Sequence, residues 1–108
     1  MTVEYDSKLA KYFTNQHLEL RKAVGIDLAK AIKKRIDMLE AISSFQHFMS
    51  NRLGNPHPLS GEFKGCYAIS LSPNYRLIIE PQITDKCDVI IVRGVVDYHG
   101  EKTNWILP

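Results

Sequence analysis

The second half of the chain has the pattern of three β-strands joined by short connections, and this pattern constrains the fold most. The strands are predicted over residues 64–72, 75–80 and 88–98. Pro73 and Asn74 form a tight turn between the first two strands, and Pro81 opens a loop before the third. Strands joined this closely are antiparallel neighbours. The sequence therefore predicts a three-stranded antiparallel meander.

These strands differ in the surface they are expected to bury. The first alternates between larger and smaller side chains, as in a half-buried strand. The third contains the run Val89-Ile90-Ile91-Val92, which is apolar on both faces and suits a central position. Gly94, in the same strand, predicts a bulge or the close approach of another backbone.

The first half of the chain is predicted to be mainly helical. Residues 26–41 carry one apolar stripe with spacings of three and four, formed by Leu28, Ala29, Ile32, Ile36 and Leu39. A looser pattern over 8–24 predicts a preceding helix that ends at Gly25, and residues 2–5 alternate as in a short strand. The order of strand, two helices and meander predicts an α+β domain with the helices on one face of an antiparallel sheet.

Length and composition narrow the class of protein. A chain of 108 residues forms a single domain, residues 1–108, whose core needs no disulfide or metal. No apolar run has the length of a membrane span, so the cytoplasm is the expected compartment. The two cysteines do not form a zinc-binding pattern, and neither metal nor cofactor is expected. A net charge of +2 is small but allows a local basic surface.

Lysines on the predicted helices are candidates for that basic surface. Lys30, Lys33 and Lys34 lie away from the apolar stripe of the second helix, and Lys22 extends the basic region onto the first. These side chains form either an ordinary solvated helix face or a basic binding surface. The sequence leaves both interpretations open.

A polar triplet ends the last predicted strand, where Asp97, Tyr98 and His99 precede Gly100. Histidine titrates near neutral pH, and its two neighbours add an acceptor and a phenolic donor. The triplet therefore suits proton transfer, although strand-end histidines are also common on ordinary surfaces. In an antiparallel meander, Arg76 at the start of the second strand lies at the same end of the sheet.

Three motifs follow one another between residues 57 and 100. They are His57-Pro58-Leu59-Ser60-Gly61, then Asn74-Tyr75-Arg76-Leu77, and finally Val96-Asp97-Tyr98-His99-Gly100. Their order and spacing resemble HigB-like toxins of the RelE/ParE superfamily, the plasmid maintenance killer type of type II toxin-antitoxin systems. Upstream of residue 57 the resemblance rests only on a short strand and two helices of suitable length.

The chain departs from these toxins in two places. Ser60 stands where many relatives carry a basic residue, which removes one expected phosphate contact. The chain also continues past His99, where many relatives end, and this tail contains Trp105, Ile106 and Leu107. The tail is expected either to pack on the sheet or to cover the site until a partner binds.

The resemblance implies a RelE/ParE-like fold and a toxin that acts as a ribosome-dependent endoribonuclease. Such an enzyme, an mRNA interferase, cuts messenger RNA without a metal and so inhibits translation. The implied partners are the ribosome, the message and a cognate HigA-like antitoxin with a helix-turn-helix DNA-binding region; no membrane is involved.

Metal-free RNA cleavage needs a base for the 2′-hydroxyl proton, an acid for the leaving 5′-oxygen and positive charge near the phosphate. His99 and His57 are the candidate acid and base, in an order that the sequence leaves open, and the loop carrying His57 must reach back to the other end of the sheet. The further catalytic candidates are Asp97, Tyr98 and Arg76. The phosphate-binding candidates are Lys64, Lys22, Lys30, Lys33 and Lys34.

Two other functions fit the same resemblance. A ParE-like toxin would inhibit DNA gyrase by binding, without nuclease chemistry. An inactive toxin-like protein would serve only as the partner of an antitoxin. The presence of two histidines argues against a pure binding protein, because binding alone does not require titrating groups.

Overall fold

The structure, a computed structural model, describes residues 1–14, 17–99 and 102–108, without the side chains of His99, Lys102 and Thr103. The strands are β1 (Thr2–Tyr5), β2 (His57–Pro58), β3 (Tyr67–Ser70), β4 (Tyr75–Ile83), β5 (Asp88–His99) and β6 (Lys102–Leu107). The helices are α1 (Leu18–Val24), α2 (Ile26–Ala41) and α3 (Phe45–Ser50). Short 3-10 segments span Ala10–Phe13 and Gly61–Phe63. No helix among the described residues is long and apolar enough to cross a bilayer.

One mixed sheet contains all six strands in the order β1-β5-β4-β3-β2, with β6 also paired to β5. The predicted meander is confirmed as β3, β4 and β5, with antiparallel pairing throughout. Since β4 occupies one edge of β5, the other edge is shared by β1, parallel beside residues 89–92, and β6, antiparallel beside residues 95–99. The sequence did not predict the pairing of β2 or β6.

The helices pack on one face of the sheet, as predicted. Side chains of α2 that form the apolar stripe, among them Ile32, Ile36 and Leu39, are buried against Leu77 and Val92 of the sheet. The opposite face carries a smaller buried cluster of Cys66, Ala68, Ile78 and Val96. The central strands are therefore buried on both faces, and Leu59, Phe63 and Tyr98 pack against this second cluster.

The α2 helix has the predicted bounds, but the preceding helix is shorter than predicted. A 3-10 segment ends before Thr14, and α1 begins only after His17, whose φ of 63° is left-handed. Phe13 stacks on Tyr5 of β1 at 4.3 Å, so the segment before α1 turns back onto the sheet. Gly25, with φ 88°, ends α1 as its spacing predicts, because a left-handed backbone favours glycine there.

Two strand predictions are wrong in detail. The strand β4 continues through Pro81, which was expected to open a loop, and Pro81 is aligned with Ile90. Proline is tolerated because β3 pairs with β4 only as far as Ile79, so β4 is an edge strand beyond that point. The strand β3 is not half-buried: Ala68 and Ile69 are buried on opposite faces of the sheet.

The tail packs on the sheet through β6. Leu107 is buried in the main core, and Trp105 contacts Phe63. Gly94 allows β6 to approach β5 closely, because a Cβ atom at this position would lie 2.4 Å from Cζ3 of Trp105 and 2.6 Å from the carbonyl oxygen of Leu107. The register of β5 against β4 also shifts next to Gly94, so both the predicted bulge and the predicted close approach are confirmed. Gly100 and Glu101, the first residues of the tail, lie outside the described residues.

Candidate functional site

The start of β4 lies beside the end of β5, as the meander requires. Tyr75 is aligned with Asp97, and Arg76 with Val96. The backbone N–H of Tyr98 donates to the carbonyl oxygen of Asn74 at 2.7 Å. The backbone of the predicted strand-end triplet is therefore held next to Arg76.

Arg76 is fixed by backbone contacts within its own turn. Its Nη1 donates to the carbonyl oxygens of Ser72 at 2.8 Å, Tyr75 at 3.0 Å and Pro73 at 3.2 Å. The guanidinium carbon lies 5.6 Å from the centre of the Tyr98 ring, within the range of a cation–π contact. Because a guanidinium has five N–H donors, anchoring through Nη1 is compatible with a phosphate contact through the other nitrogens.

The predicted triplet is partly buried where its side chains are described. Asp97 and Tyr98 are both of intermediate exposure, and Tyr98 packs against the cluster formed by Cys66, Ala68, Ile78 and Val96. His99 continues the strand, with its backbone aligned to Lys102 of β6. The side chain of His99 lies outside the described residues, so its catalytic role stays a prediction.

His57 lies on the far edge of the sheet from the strand end. It is exposed in β2 and is aligned with Ala68 of β3. Ala68 is aligned with Ile78 of β4, and Ile78 is aligned with Gly94 of β5. Three strand spacings and five residue steps (99 minus 94) place the Cα atoms of His57 and His99 about 22 Å apart. The loop does not reach back to the other end of the sheet, and the register does not bring the two histidines to one phosphate.

The predicted lysines are exposed but occupy two separate places. Lys64 follows the 3-10 segment Gly61–Phe63 and precedes β3. Ser70, which is aligned with Arg76, lies at the other end of β3. Four lysines lie on the helical layer, which packs on the other face of the sheet from Tyr98: Lys22, Lys30, Lys33 and Lys34. Lys33 and Lys22 have acidic neighbours on their own helices, and such exposed ion pairs are weak.

A cavity of about 320 Å³ lies on the sheet face opposite the helices. It is lined by Leu59, Ser60, Phe63, Ile78, Val96, Tyr98 and Trp105. Phe63 and Trp105, whose ring centres lie 5.2 Å apart, are site residues that the sequence did not predict. The only sequence signal was a large aromatic residue in the tail beyond the strand-end motif. The face that carries Tyr98 is therefore concave and partly aromatic.

A polar group borders this face at Glu80. Arg93 lies 3.6 Å from Glu80 and 3.7 Å from Asp6, while the Cys66 thiol donates to Glu80 at 3.8 Å. Burial, together with the Glu80 charge, raises the pKa of the Cys66 thiol. The thiol therefore stays protonated near neutral pH and is a weak nucleophile. Among the described residues, His, Cys, Asp and Glu do not form a group of three suited to a metal.

Similarity to known proteins is visible in the fold rather than in the sequence. No protein-family model and no curated protein matches the sequence. Solved structures do match. A YoeB/ParE toxin from Agrobacterium tumefaciens has 16% identity and a TM-score of 0.57, over 92% of this chain and 99% of the other.

Two further structures have the same architecture. A chain of the YoeB-YefM complex from Staphylococcus aureus has 14% identity and a TM-score of 0.57, over 92% of this chain and 97% of the other. YafQ from E. coli strain BL21(DE3) has 19% identity and a TM-score of 0.53, over 86% of this chain and 88% of the other. Identities this low establish the fold alone, and the chain has the α+β fold of the RelE/YoeB-like toxins.

Proposed function

We propose that this protein is the toxin of a type II toxin-antitoxin pair, of the HigB-like kind, and acts as a ribosome-dependent endoribonuclease. One observation carries the proposal. On a toxin fold, Arg76 contacts Tyr98 of the Asp97-Tyr98-His99 strand end, and Tyr98 lines an open, concave sheet face. These residue types supply proton transfer and fixed positive charge, which are what cleavage of RNA by its own 2′-hydroxyl requires.

Each residue at the strand end has a distinct role in this proposal. His99 takes the 2′-hydroxyl proton as that oxygen attacks the phosphorus, and the charged imidazole returns a proton through water to the 5′-oxygen as its bond to phosphorus breaks. Asp97 orients or stabilises the charged imidazole. Arg76 binds the phosphate as negative charge builds, and its contact with the Tyr98 ring aligns both side chains toward the same face. Tyr98 donates to the phosphate or stacks on a base. The cleavage needs no metal or cofactor in this scheme.

His57 and Lys64 have a different role, because both are remote from the strand end. We assign His57 to contact with the RNA along the β2 edge rather than to the acid that complements His99. Lys64, near the same edge, contributes a point charge to the phosphate backbone. Neither residue then has to move across the sheet during the reaction.

The remaining partners follow from the two-sided arrangement. The helix lysines dock on ribosomal RNA, while the opposite sheet face meets the message. A cognate HigA-like antitoxin with a helix-turn-helix region binds the toxin in the cytoplasm. The described complexes of YoeB with YefM and of DinJ with YafQ support an antitoxin as partner.

The proposal is tested by translating a reporter message with the purified protein. His99→Ala is expected to lower the cleavage rate by about 10²- to 10⁴-fold, the usual contribution of a general acid or base. His47→Ala, which removes an exposed histidine on α3, is the matched control and is expected to leave cleavage unchanged. Cleavage that persists in His99→Ala, or without ribosomes, would exclude this mechanism.

A ParE-like inhibitor of DNA gyrase remains the second candidate. One of the matching structures is described as a YoeB/ParE toxin. The separation of His57 from the strand end also weakens the argument that paired histidines exclude a pure binding protein. Intact message together with gyrase-dependent DNA cleavage would select this function. Intact message and intact DNA would instead select an inactive partner of an antitoxin.

A further inference from the structure

The tail places a large aromatic side chain on the open sheet face. Trp105 is 41% exposed, although its ring lies against Gly94 and Phe63. An indole that is packed on two neighbours and still open on the remaining side presents a fixed, accessible ring surface. The Phe63 ring, tilted by 40° to it, extends that surface.

Phe63 and Trp105 form a wall between two cavities. The cavity of about 320 Å³ lies on the Tyr98 side. A second cavity of about 300 Å³, on the other side, is lined by both aromatic residues together with Asp6, Lys8, Arg93 and Pro108. Arg76 over Tyr98 is the cationic group on one side of the wall. On the other side Lys8 and Arg93 line the cavity, where Arg93 is paired with Asp6.

The wall lies close to the strand end that carries His99. Trp105 is aligned with Val96, and Val96 is aligned with Arg76 on the other edge of β5. Three residue steps along β5 (99 minus 96) correspond to about 10 Å. This separation is short enough for nucleotides next to a phosphate bound at Arg76 to reach the wall.

We propose that Phe63 and Trp105 are base-binding residues, on which unpaired bases of the message next to the cut stack. The inference rests on the proposed function, since the RNA it invokes is the substrate of that reaction. Aromatic faces alternating with cationic side chains are the arrangement by which proteins hold single-stranded nucleic acid. Arg76 at Tyr98 and Lys8 at the second cavity favour a polyanion over an apolar peptide as the occupant. The tail thereby becomes part of the substrate site.

Trp105 provides the readout, because it is the only tryptophan in the chain. The probe is a six-nucleotide, fully 2′-O-methylated RNA, which cannot be cleaved, titrated into the full-length protein at low salt. Saturable quenching of the tryptophan emission is expected. An abasic oligonucleotide of the same length is expected not to quench. Equal quenching by both oligonucleotides, or by neither, would overturn the proposal, as would a response to an antitoxin peptide alone.

Substitutions locate the stacking surface. Phe63→Leu is expected to weaken binding of the base-bearing RNA by about 5- to 100-fold, the range for loss of one stacked base. Ile83→Ala, which shortens an exposed apolar side chain at the far end of β4, is the control and is expected to change nothing. An unchanged affinity in Phe63→Leu would overturn the proposal.

Cleavage on the ribosome separates this proposal from the function on which it rests. Trp105→Leu is expected to cut at least 5-fold more slowly than the wild type and at altered positions, as mapped at the new 5′ ends. Trp105→Phe, which keeps an aromatic ring, is expected to restore part of that loss. Where Trp105→Leu lowers the unfolding midpoint, Phe63→Leu replaces it. If the wild type cleaves the message and the variants cleave it at the same rate and positions, the base-binding role is wrong and the nuclease function stands. If RNA quenches the tryptophan emission but the message is not cleaved, the proposed nuclease function is wrong and the proposed base-binding surface stands.

Discussion

At the scale of single residues, Asp88 shows how one side chain connects distant parts of the chain. It begins β5, yet its Oδ2 accepts a hydrogen bond from the backbone N–H of Phe45 at 2.8 Å, at the start of α3. Ser44 caps the same helix, since its hydroxyl accepts from the N–H of His47 at 3.1 Å. Two of the N–H groups that lack a partner within the helix are thereby satisfied.

Asp88→Ala is expected to lower the free energy of unfolding by about 1 kcal/mol, as for loss of a helix cap. The reason is that the Phe45 N–H, which is partly buried, loses its acceptor. Urea unfolding followed by circular dichroism measures the change. Asp85→Ala, in the exposed loop before β5, is the matched control. Equal effects of the two substitutions would refute the capping role.

At the scale of secondary-structure elements, β6 depends on the absence of a side chain at Gly94. The Trp105 ring and the Leu107 carbonyl both occupy the space that a Cβ atom would need. The pairing of β5 with β6 has a register shift of its own, between Val95 and Val96. Such shifts bend a strand and re-aim its side chains. Gly94 therefore links the packing of the tail to the position of the aromatic wall.

Gly94→Ala is expected to destabilise the protein by about 1 to 3 kcal/mol, because the added methyl group overpacks this contact. The Trp105 emission is expected to shift to longer wavelength as the ring moves toward solvent. The change in stability is measured by circular dichroism during urea unfolding, and the emission shift by fluorescence of the folded protein. A double-mutant cycle with Trp105→Leu isolates the ring contact and is expected to show a coupling of about 0.5 kcal/mol or more. If the effects of the two substitutions on the free energy of unfolding add strictly, the Trp105 ring is not what the added methyl group overpacks.

At the scale of the whole molecule, the sheet divides two surfaces with different chemistry. The helical side carries exposed lysines, among them Lys30, Lys33 and Lys34. The other side carries the partly buried Tyr98 and the aromatic wall. Because a folded sheet with buried side chains on both faces is rigid, the two surfaces can act on different partners at once. Docking and cleavage are expected to be separable by mutation.

Replacing Lys30, Lys33 and Lys34 together by Glu is expected to weaken ribosome association strongly while leaving quenching of Trp105 by RNA unchanged. Loss of three phosphate contacts also reduces the slope of log affinity against log salt by about 2 to 3. Co-sedimentation with ribosomes over a salt series provides the measurement. Lys11→Glu, Arg52→Glu and Lys86→Glu together, all exposed elsewhere, make the same change in net charge and serve as the control. Weakened quenching in the triple variant would contradict the separation of the surfaces.

The sequence alone determined the elements whose signals are local. The apolar stripe predicted the bounds of α2, and the alternation with Pro73 and Asn74 predicted the meander and the placement of Arg76 beside the strand end. Helical periodicity and turn chemistry act over a few residues, so they can be recognised without knowledge of the rest of the chain. The resemblance in three motifs also pointed to the fold that the solved structures share.

Only the tertiary structure decided how β2 and β6 pair and which of their residues meet the rest of the sheet. It paired β2 with β3 and thereby held His57 away from the strand end, and it paired β6 with β5 and so brought Trp105 to Phe63. Register between strands distant in sequence depends on side-chain packing across the whole sheet, and local patterns do not encode it. Periodicity therefore predicts elements, while the packed sheet determines the composition of the site.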